Sequence, residues 1–295
     1  MNKKFIAILA ITLTVCLLAV AGCTNNSGTC PAPAAGQVIL QPSPVSINAT
    51  PVQYKEVNGI RLAYREFGSS GEPILLIEGF GGTVANATPL TDSWNETFLG
   101  ILSSKYHVYA YDHRGMGYSS DSNVTHTIPL YADDAAGLIK ALGYDSMHVY
   151  GESMGSSTAQ QLVIDHPERV RKLILDSNTY DARIPECKNL LAILKADAVD
   201  PTQTVGVREE AQANLVWNGT WDGLSGIKKD VMLVVGTSDP LTPQQVSVRM
   251  AGQINGSWLV RFKGLPHCGS HYAPVQYGEN ALNFLGMNEA PLGNQ

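Results

Sequence analysis

Short apolar runs recur along the chain at residues 74–77, 108–111, 147–150, 173–175, 231–235 and 258–262, with helix-patterned stretches between them. Unbroken apolar strands alternating with helices predict a parallel sheet covered on both faces. Ahead of the series, residues 52–57 and 60–67 flank Asn58-Gly59, the dipeptide that best signals a tight hairpin. The pattern therefore predicts an α/β architecture, a mostly parallel eight-stranded sheet fed by an antiparallel hairpin and carrying helices on both faces. No internal repeat is visible.

One interval breaks the alternation. Between the runs at 173–175 and 231–235 the chain is longer than a single crossover helix requires, and residues 188–196 and 207–217 both have helical patterning. Residues 180–224 are read as a small helical lid over the carboxyl edge of the sheet, where open α/β sheets bind ligands. Trp217 and Trp221 in this lid, with Phe80, are candidate substrate contacts.

The amino terminus has different chemistry. Lys3-Lys4 precedes an apolar stretch over 5–22 that closes on Val20-Ala21-Gly22-Cys23, the layout of a secretory signal. The closing tetrapeptide resembles a lipoprotein lipobox, which implies cleavage after residue 22 and lipidation of Cys23. An uncleaved membrane helix is the alternative, since the apolar stretch is at the short edge of a spanning length. Either reading gives an exported protein anchored by lipid or helix to the outer face of the cytoplasmic membrane. Residues 23–51 are rich in Asn, Ser, Thr, Pro and Gly without apolar periodicity, and read as a flexible tether. Residues 52–288 then form one catalytic-sized domain.

A formal net charge of −6 without any basic block argues against nucleic acid as a partner. Cys30, Cys187 and Cys268 remain outside the signal, and the sequence leaves a bridge between Cys187 and Cys268 open. No Cys or His cluster has metal-ligand spacing, so neither metal nor cofactor is expected. Sequons at Asn25, Asn48, Asn86, Asn95, Asn123, Asn218 and Asn255 suit an extracellular surface.

The chemistry centres on Gly151-Glu152-Ser153-Met154-Gly155, which follows an apolar run and precedes a helical stretch. Lifting a serine hydroxyl clear of a sheet requires a turn within one residue. The serine is forced into strained dihedrals, and the positions two before and two after come too close for side chains. A serine hydroxyl also needs a base to take its proton and a carboxylate to orient that base. Asp239 leaves the run at 231–235, and His267 follows the last strand after the turn-rich Lys263-Gly264-Leu265-Pro266, so the order Ser, Asp, His is met. Asp176, also at a strand end, is an alternative acid, and His271 an alternative histidine. His113 reads as a hydrogen-bonding group at the pocket rim; His107, His126, His148 and His166 read as surface or structural. Asp112 and Arg114 read as an ion pair bracing their loop, and Glu152 as a solvated or helix-start carboxylate.

These segments resemble the α/β-hydrolase family over nearly the whole span from Val52 to Leu285. Val235-Gly236-Thr237-Ser238-Asp239-Pro240 is similar to the family's acid loop, and His267 with the helical segment behind it to its terminal histidine segment. Tyr111-Asp112-His113-Arg114-Gly115-Met116-Gly117-Tyr118-Ser119 and His166-Pro167-Glu168-Arg169-Val170 are also typical. The resemblance implies Ser153, His267 and Asp239 as a catalytic triad. It places the oxyanion hole at the backbone amides of Met154 and, from Glu78-Gly79-Phe80-Gly81-Gly82, of Phe80. Position 78 is a departure: the family carries His there, and a carboxylate facing a developing oxyanion would repel it unless turned away or neutralised. The expected function is hydrolysis of small or medium carboxylic esters through an acyl-enzyme. The alternatives are a peptidase or amidase, though the Gly-Gly-x-Gly-Gly loop of such enzymes is absent; a cofactor-free haloperoxidase-like enzyme; and an inactive surface-anchored binding protein.

Overall fold

Asn58 and Gly59 take φ of 49° and 78°, the paired left-handed residues of a two-residue hairpin turn. They join β1 (Gln53–Val57) to β2 (Ile60–Phe67). This is a computed structural model, and it describes residues 45–84 and 94–287. The signal read over 1–22, Cys23, Cys30 and most of the segment read as a tether lie outside the described residues. Among those described, no helix is long and apolar enough to cross a membrane.

The remaining strands are β3 (Pro73–Ile77), β4 (His107–Tyr111), β5 (Met147–Glu152), β6 (Val170–Asp176), β7 (Asp230–Gly236) and β8 (Trp258–Phe262). They form one eight-stranded sheet in the order β1-β2-β4-β3-β5-β6-β7-β8. β2 pairs antiparallel with β1 and β4, and the other pairings are parallel. The eight-stranded, mostly parallel sheet expected from the pattern is the one observed.

Side chains of successive strand residues alternate between two cores. Leu75, Ile77, Tyr109, Val149, Leu173 and Leu233 face one, together with Ala135 and Leu138 of α2 (Ile128–Ala141), Ala159 and Leu162 of α3 (Met154–Asp165) and Val246 of α7 (Gln244–Gln253). Ile74, Leu76, Val108, Ile174 and Met232 face the other. That core is covered by Phe98 and Leu99 of α1 (Glu96–Ser103) and Ala281 and Phe284 of α8 (Pro274–Gly286). Both faces being dry explains why the central strands read as continuous apolar runs. Packing begins earlier than the sequence suggested: Ile47 is buried in the second core and its amide donates to Glu96 Oε1 at 2.8 Å. Asn95, one of the sequons, uses its side-chain oxygen to cap α1 through the amides of Thr97 and Phe98.

Between β6 and β7 lie α4 (Lys188–Asp197), α5 (Val205–Val216) and the short α6 (Trp221–Leu224). Leu190, Leu194, Ala211 and Leu224 from these helices join the first core.

The expected Asp112–Arg114 pair does not form. A turn closed by the Met116 amide on the His113 carbonyl swings Arg114 toward α2, where it makes a bidentate pair with Asp134 at 2.6 and 2.7 Å. Asp112 instead accepts from Thr83 Oγ1 and the amides of Val84 and Tyr118. Both members of the Arg114–Asp134 pair are about 1% exposed, so Asp134→Ala strands a guanidinium in the interior. The variant should lose about 3–5 kcal/mol of stability, read as a lower urea midpoint at an unchanged slope.

Candidate active site

Ser153 sits at φ 55°, ψ −117° between β5 and α3, a conformation costing on the order of 1–3 kcal/mol for a residue with a side chain. Its surroundings hold it there. The Ser153 amide donates to the Asp176 carbonyl at 3.0 Å, tying the turn to β6. A Cβ on Gly151 would lie 2.3 Å from the Gly155 carbonyl oxygen, and one on Gly155 would lie 2.0 Å from that of Ile77. The two glycines are therefore required by backbone crossing backbone, and they let the serine project at the head of α3.

Three distant segments meet at the serine. Its Oγ is 2.8 Å from His267 Nε2, and His267 Nδ1 is 2.7 Å from Asp239 Oδ2. Asp239 is fixed in turn by Thr242, whose hydroxyl donates to Oδ2 at 2.8 Å, and by the amides of Leu241 and Thr242 on Oδ1. Burial would raise the Asp239 carboxyl, but the His267 hydrogen bond and charge, with the Thr242 donors, hold it below its ordinary value. It is thus an anion at neutral pH. Its hydrogen bond assigns the donor proton to Nδ1 and leaves Nε2 as the acceptor for the serine hydroxyl.

The alternative acid and histidine serve other partners. Asp176 is fully buried and accepts from Tyr150 Oη at 2.8 Å and Ser177 Oγ at 3.1 Å. Burial, with the charge of Glu152, pushes its carboxyl well above the usual range. His271 reaches Glu152, with Nε2 at 3.3 Å from Oε1. Glu152 is buried, correcting its reading as a solvated carboxylate, and it also accepts from Ser270 Oγ. Burial opposes its ionisation, but His271 and Ser270 outweigh that and keep its carboxyl below the ordinary value. The Cys268 amide donates to Ser177 Oγ at 2.8 Å. The loop carrying His267 is therefore bound to the ends of β5 and β6, the strands that set Ser153. Sequence reasoning missed this tie; its signal was the acid, Glu152, inside the serine pentapeptide.

The loop after β3 passes directly over the serine, since a Cβ on Gly79 would lie 3.3 Å from Ser153 Cβ. Gly82 donates to the Gly79 carbonyl at 3.0 Å, and Gly81 has φ 75°, so Gly79 to Gly82 form a tight turn with its left-handed residue third. Phe80 and Met154 border the same cavity as Ser153, and no described residue accepts from either amide. Met154 opens α3, where the helix dipole favours negative charge. Glu78 is buried; its carbonyl lies 3.4 Å from His113 Nε2. His113, read as a rim residue, is also buried, and burial lowers its imidazole to about 4, so it is neutral at pH 7. The cavity is narrow, with room for about one water molecule, and Ser157, Thr179, Leu190, Leu194, Asn214 and Thr242 complete its wall.

Residues 72–200 match the model of the alpha/beta hydrolase fold family. A Caulobacter vibrioides protein whose name gives it as a provisional carbamate hydrolase is 34% identical over 250 residues, covering 72% of this chain and 90% of that one. This chain belongs to the α/β-hydrolase fold family. Membership supports a hydrolase. A 36% identical stretch of 129 residues is shared with the dihydrolipoyllysine-residue acetyltransferase component of the acetoin cleaving system of Cupriavidus necator, of which the match spans 32%. An α/β-hydrolase fold protein from Chitinophaga pinensis superposes with a TM-score of 0.70, at 21% identity, over 83% of this chain and all of that one.

Other candidate contacts read from the sequence are redistributed by the packing. Trp217 does not border the serine cavity: it is buried against Ile128, Tyr131, Met154 and Ala213, and its indole N–H donates to Gln161 Oε1 at 3.0 Å. Trp221 lies on the surface, its ring 4.6 Å from that of Tyr180. Of the three aromatic contacts proposed, Phe80 alone borders the cavity. Cys187 and Cys268 form no disulfide. Cys187 is buried with its thiol on Thr179 Oγ1, and burial pushes that thiol up to about 11. The fold also assembles donors that sequence spacing separates. Asp121, His126 and Glu209 offer ligand atoms within 4.8 Å of one another, the one such set among the described residues that could share a metal ion. As they stand, His126 bridges the two carboxylates at 2.9 and 3.2 Å and meets Tyr131 Oη through Nδ1.

Because the crossing at Gly155 is backbone on backbone, Gly155→Ala should lower stability by at least about 1–3 kcal/mol. The expected readout is a fall in melting temperature of about 2–4 °C per kcal/mol, accompanied by loss of fluorophosphonate labelling at Ser153.

Proposed function

We propose that this α/β hydrolase cleaves carboxylic esters of small or medium size through an acyl-enzyme on Ser153. The observation that carries the reading is the continuous relay from Ser153 Oγ to His267 Nε2, at 2.8 Å, and on from Nδ1 to Asp239, at 2.7 Å. Ser153 Oγ attacks the ester carbonyl carbon while its proton passes to His267 Nε2. The imidazolium formed is stabilised by ionised Asp239, and the carbonyl oxygen, now negative, is received by the amides of Phe80 and Met154. The tetrahedral species collapses as His267 returns the proton to the departing alkoxide. A water molecule, deprotonated by the same imidazole, then attacks the acyl-enzyme and releases the acid and Ser153.

The narrow cavity favours a short acyl group, and Leu190 and Leu194 give its outer wall an apolar character. The carbamate-hydrolase name of one relative adds carbamates to the substrates worth testing, since their carbonyl presents the same electrophile. A panel of graded acyl esters, aminoacyl amides and carbamates separates the ester reading from the amidase one. We also propose export and anchoring through lipidated Cys23, on the lipobox-like Val20-Ala21-Gly22-Cys23.

Ser153→Ala should reduce p-nitrophenyl acetate turnover by about 10⁴-fold or more with an unchanged far-UV spectrum; retained turnover would discard the assignment. Activity should fall as pH is lowered, because a protonated imidazole cannot accept the serine proton; the carboxyl of Asp239 is itself held below its ordinary value. Cys23→Ser should abolish incorporation of labelled palmitate and release the protein from the membrane fraction of an expressing bacterium. Palmitate incorporation by the serine variant would refute lipidation at this residue.

A further inference from the structure

Helix α5 reaches the oxyanion loop directly. Glu210, in the middle of α5, is fully buried, and its Oε2 accepts from the Gly81 amide at 2.8 Å. The Gly81 amide belongs to the central peptide of the Gly79–Gly82 turn, the peptide that follows Phe80. One helical turn further along, Asn214 borders the serine cavity beside Phe80 and Met154, so a single face of α5 serves both the cavity and the loop. The adjoining turn of α5 is equally constrained, since a Cβ on Gly206 would lie 2.3 Å from the Gly115 carbonyl oxygen. We infer that Glu210 is a positioning residue for catalysis: by holding the Gly81 amide it sets the orientation of the preceding Phe80 amide toward the oxyanion.

The inference rests on the reading of Ser153 as nucleophile and adds a component that neither the serine motif nor the family resemblance supplies. It also bears on how acidic groups coexist with an oxyanion site. Burial, aided by the charge of Asp112 and opposed by the Gly81 amide, raises the Glu210 carboxyl to about 8. The groups facing it are Asp112 and Tyr111 at the end of β4 and Tyr131 on α2. Beyond Tyr111 lie Glu78 and His113. Arg114, the nearby cation acting on Tyr131, is committed to Asp134. The contact that carries the positioning role is geometric: Glu210 Oε2 accepts from the Gly81 amide at 2.8 Å from a fully buried site on α5.

The test uses the full chain with p-nitrophenyl acetate as probe, in the wild type and in Ser153→Ala, Glu210→Ala, Glu210→Gln and Glu209→Ala. Glu209 is the neighbouring α5 residue whose carboxylate meets His126 rather than the loop, so its variant reports general loosening of α5. Glu210→Ala should lower kcat by about 10- to 100-fold with KM changed less than about threefold, a fraction of the loss expected for an entire oxyanion donor. It should also weaken a boronic acid inhibitor, which forms an anionic tetrahedral adduct on Ser153, by a similar factor. Glu210→Gln, whose amide oxygen can still accept from Gly81, should recover most of the loss. Hydrogen exchange at the Gly81 amide should accelerate in Glu210→Ala and stay slow in Glu210→Gln, a readout independent of turnover. Equal losses in Glu209→Ala and Glu210→Ala, a change confined to KM, or unaltered Gly81 exchange would overturn the inference. If Ser153→Ala retains turnover, the nucleophile reading fails instead, and the exchange result still decides whether Glu210 holds the loop.

Discussion

A serine held at φ 55° between a strand and a helix is the constraint from which the rest of the site follows. The conformation is unfavourable in isolation, so it persists only where neighbours over-determine it. Here they do so by contact that leaves no alternative. Gly151 and Gly155 bring β5, α3 and the end of β3 within backbone distance, and the Ser153 amide is taken by β6. Hydrophobic burial on both sheet faces supplies the rigidity: β3 and β5 are buried along their whole length, and β6 is buried from Leu173 to Asp176, where it meets the turn. The strained turn thus belongs to the middle of the sheet, where backbone displacement would disturb both cores at once.

Acidic groups around this turn divide by the partners they have. Asp239 and Glu152 are buried next to imidazoles and stay below their ordinary values. Asp176 and Glu210 are buried without a cation and rise. The same desolvation acts on all four, so the counter-charge decides the sign. This sorting reconciles a strongly acidic neighbourhood with a reaction that develops negative charge. The carboxyls held low are those matched by His267 or His271, and the unmatched Asp176 and Glu210 are held high. Glu78, the departure from His, is buried, and the loop that follows it is closed by the Gly82 amide on the Gly79 carbonyl and tied to α5 through Glu210.

Much of this was legible in the residues. Asn58-Gly59 announced the hairpin because two left-handed residues have few other uses, and the dry central strands announced a parallel sheet because both faces exclude polar side chains. Ser153, Asp239 and His267 were legible because each follows a strand whose apolar run is unmistakable. What escaped were contacts whose partners are remote in sequence and ordinary in type. Arg114 was assigned to Asp112 by proximity along the chain, whereas the turn at His113 hands it to Asp134 on α2. Glu152 read as solvent-facing because nothing local marks Ser270 and His271 as its partners. Trp217 and Trp221 were given to the pocket for their size; packing spends one on the helix interface with α2 and leaves the other at the surface.

Helices α4 and α5 bring these threads to a mechanical point. Leu190 and Leu194 of α4 and Asn214 of α5 wall the narrow cavity beside Ser153, so on the proposed reading a substrate larger than that cavity enters by displacing them. α5, which carries Asn214 into that wall, also touches the loop after β3 through Glu210. On the proposed mechanism, access and charge stabilisation share one mechanical element. A substrate too large for α5 to settle again after entry would reach the nucleophile with its oxyanion site out of register. Discrimination against bulky acyl groups would on this argument fall on kcat rather than on binding, because the penalty is felt where negative charge develops and only weakly in the ground state.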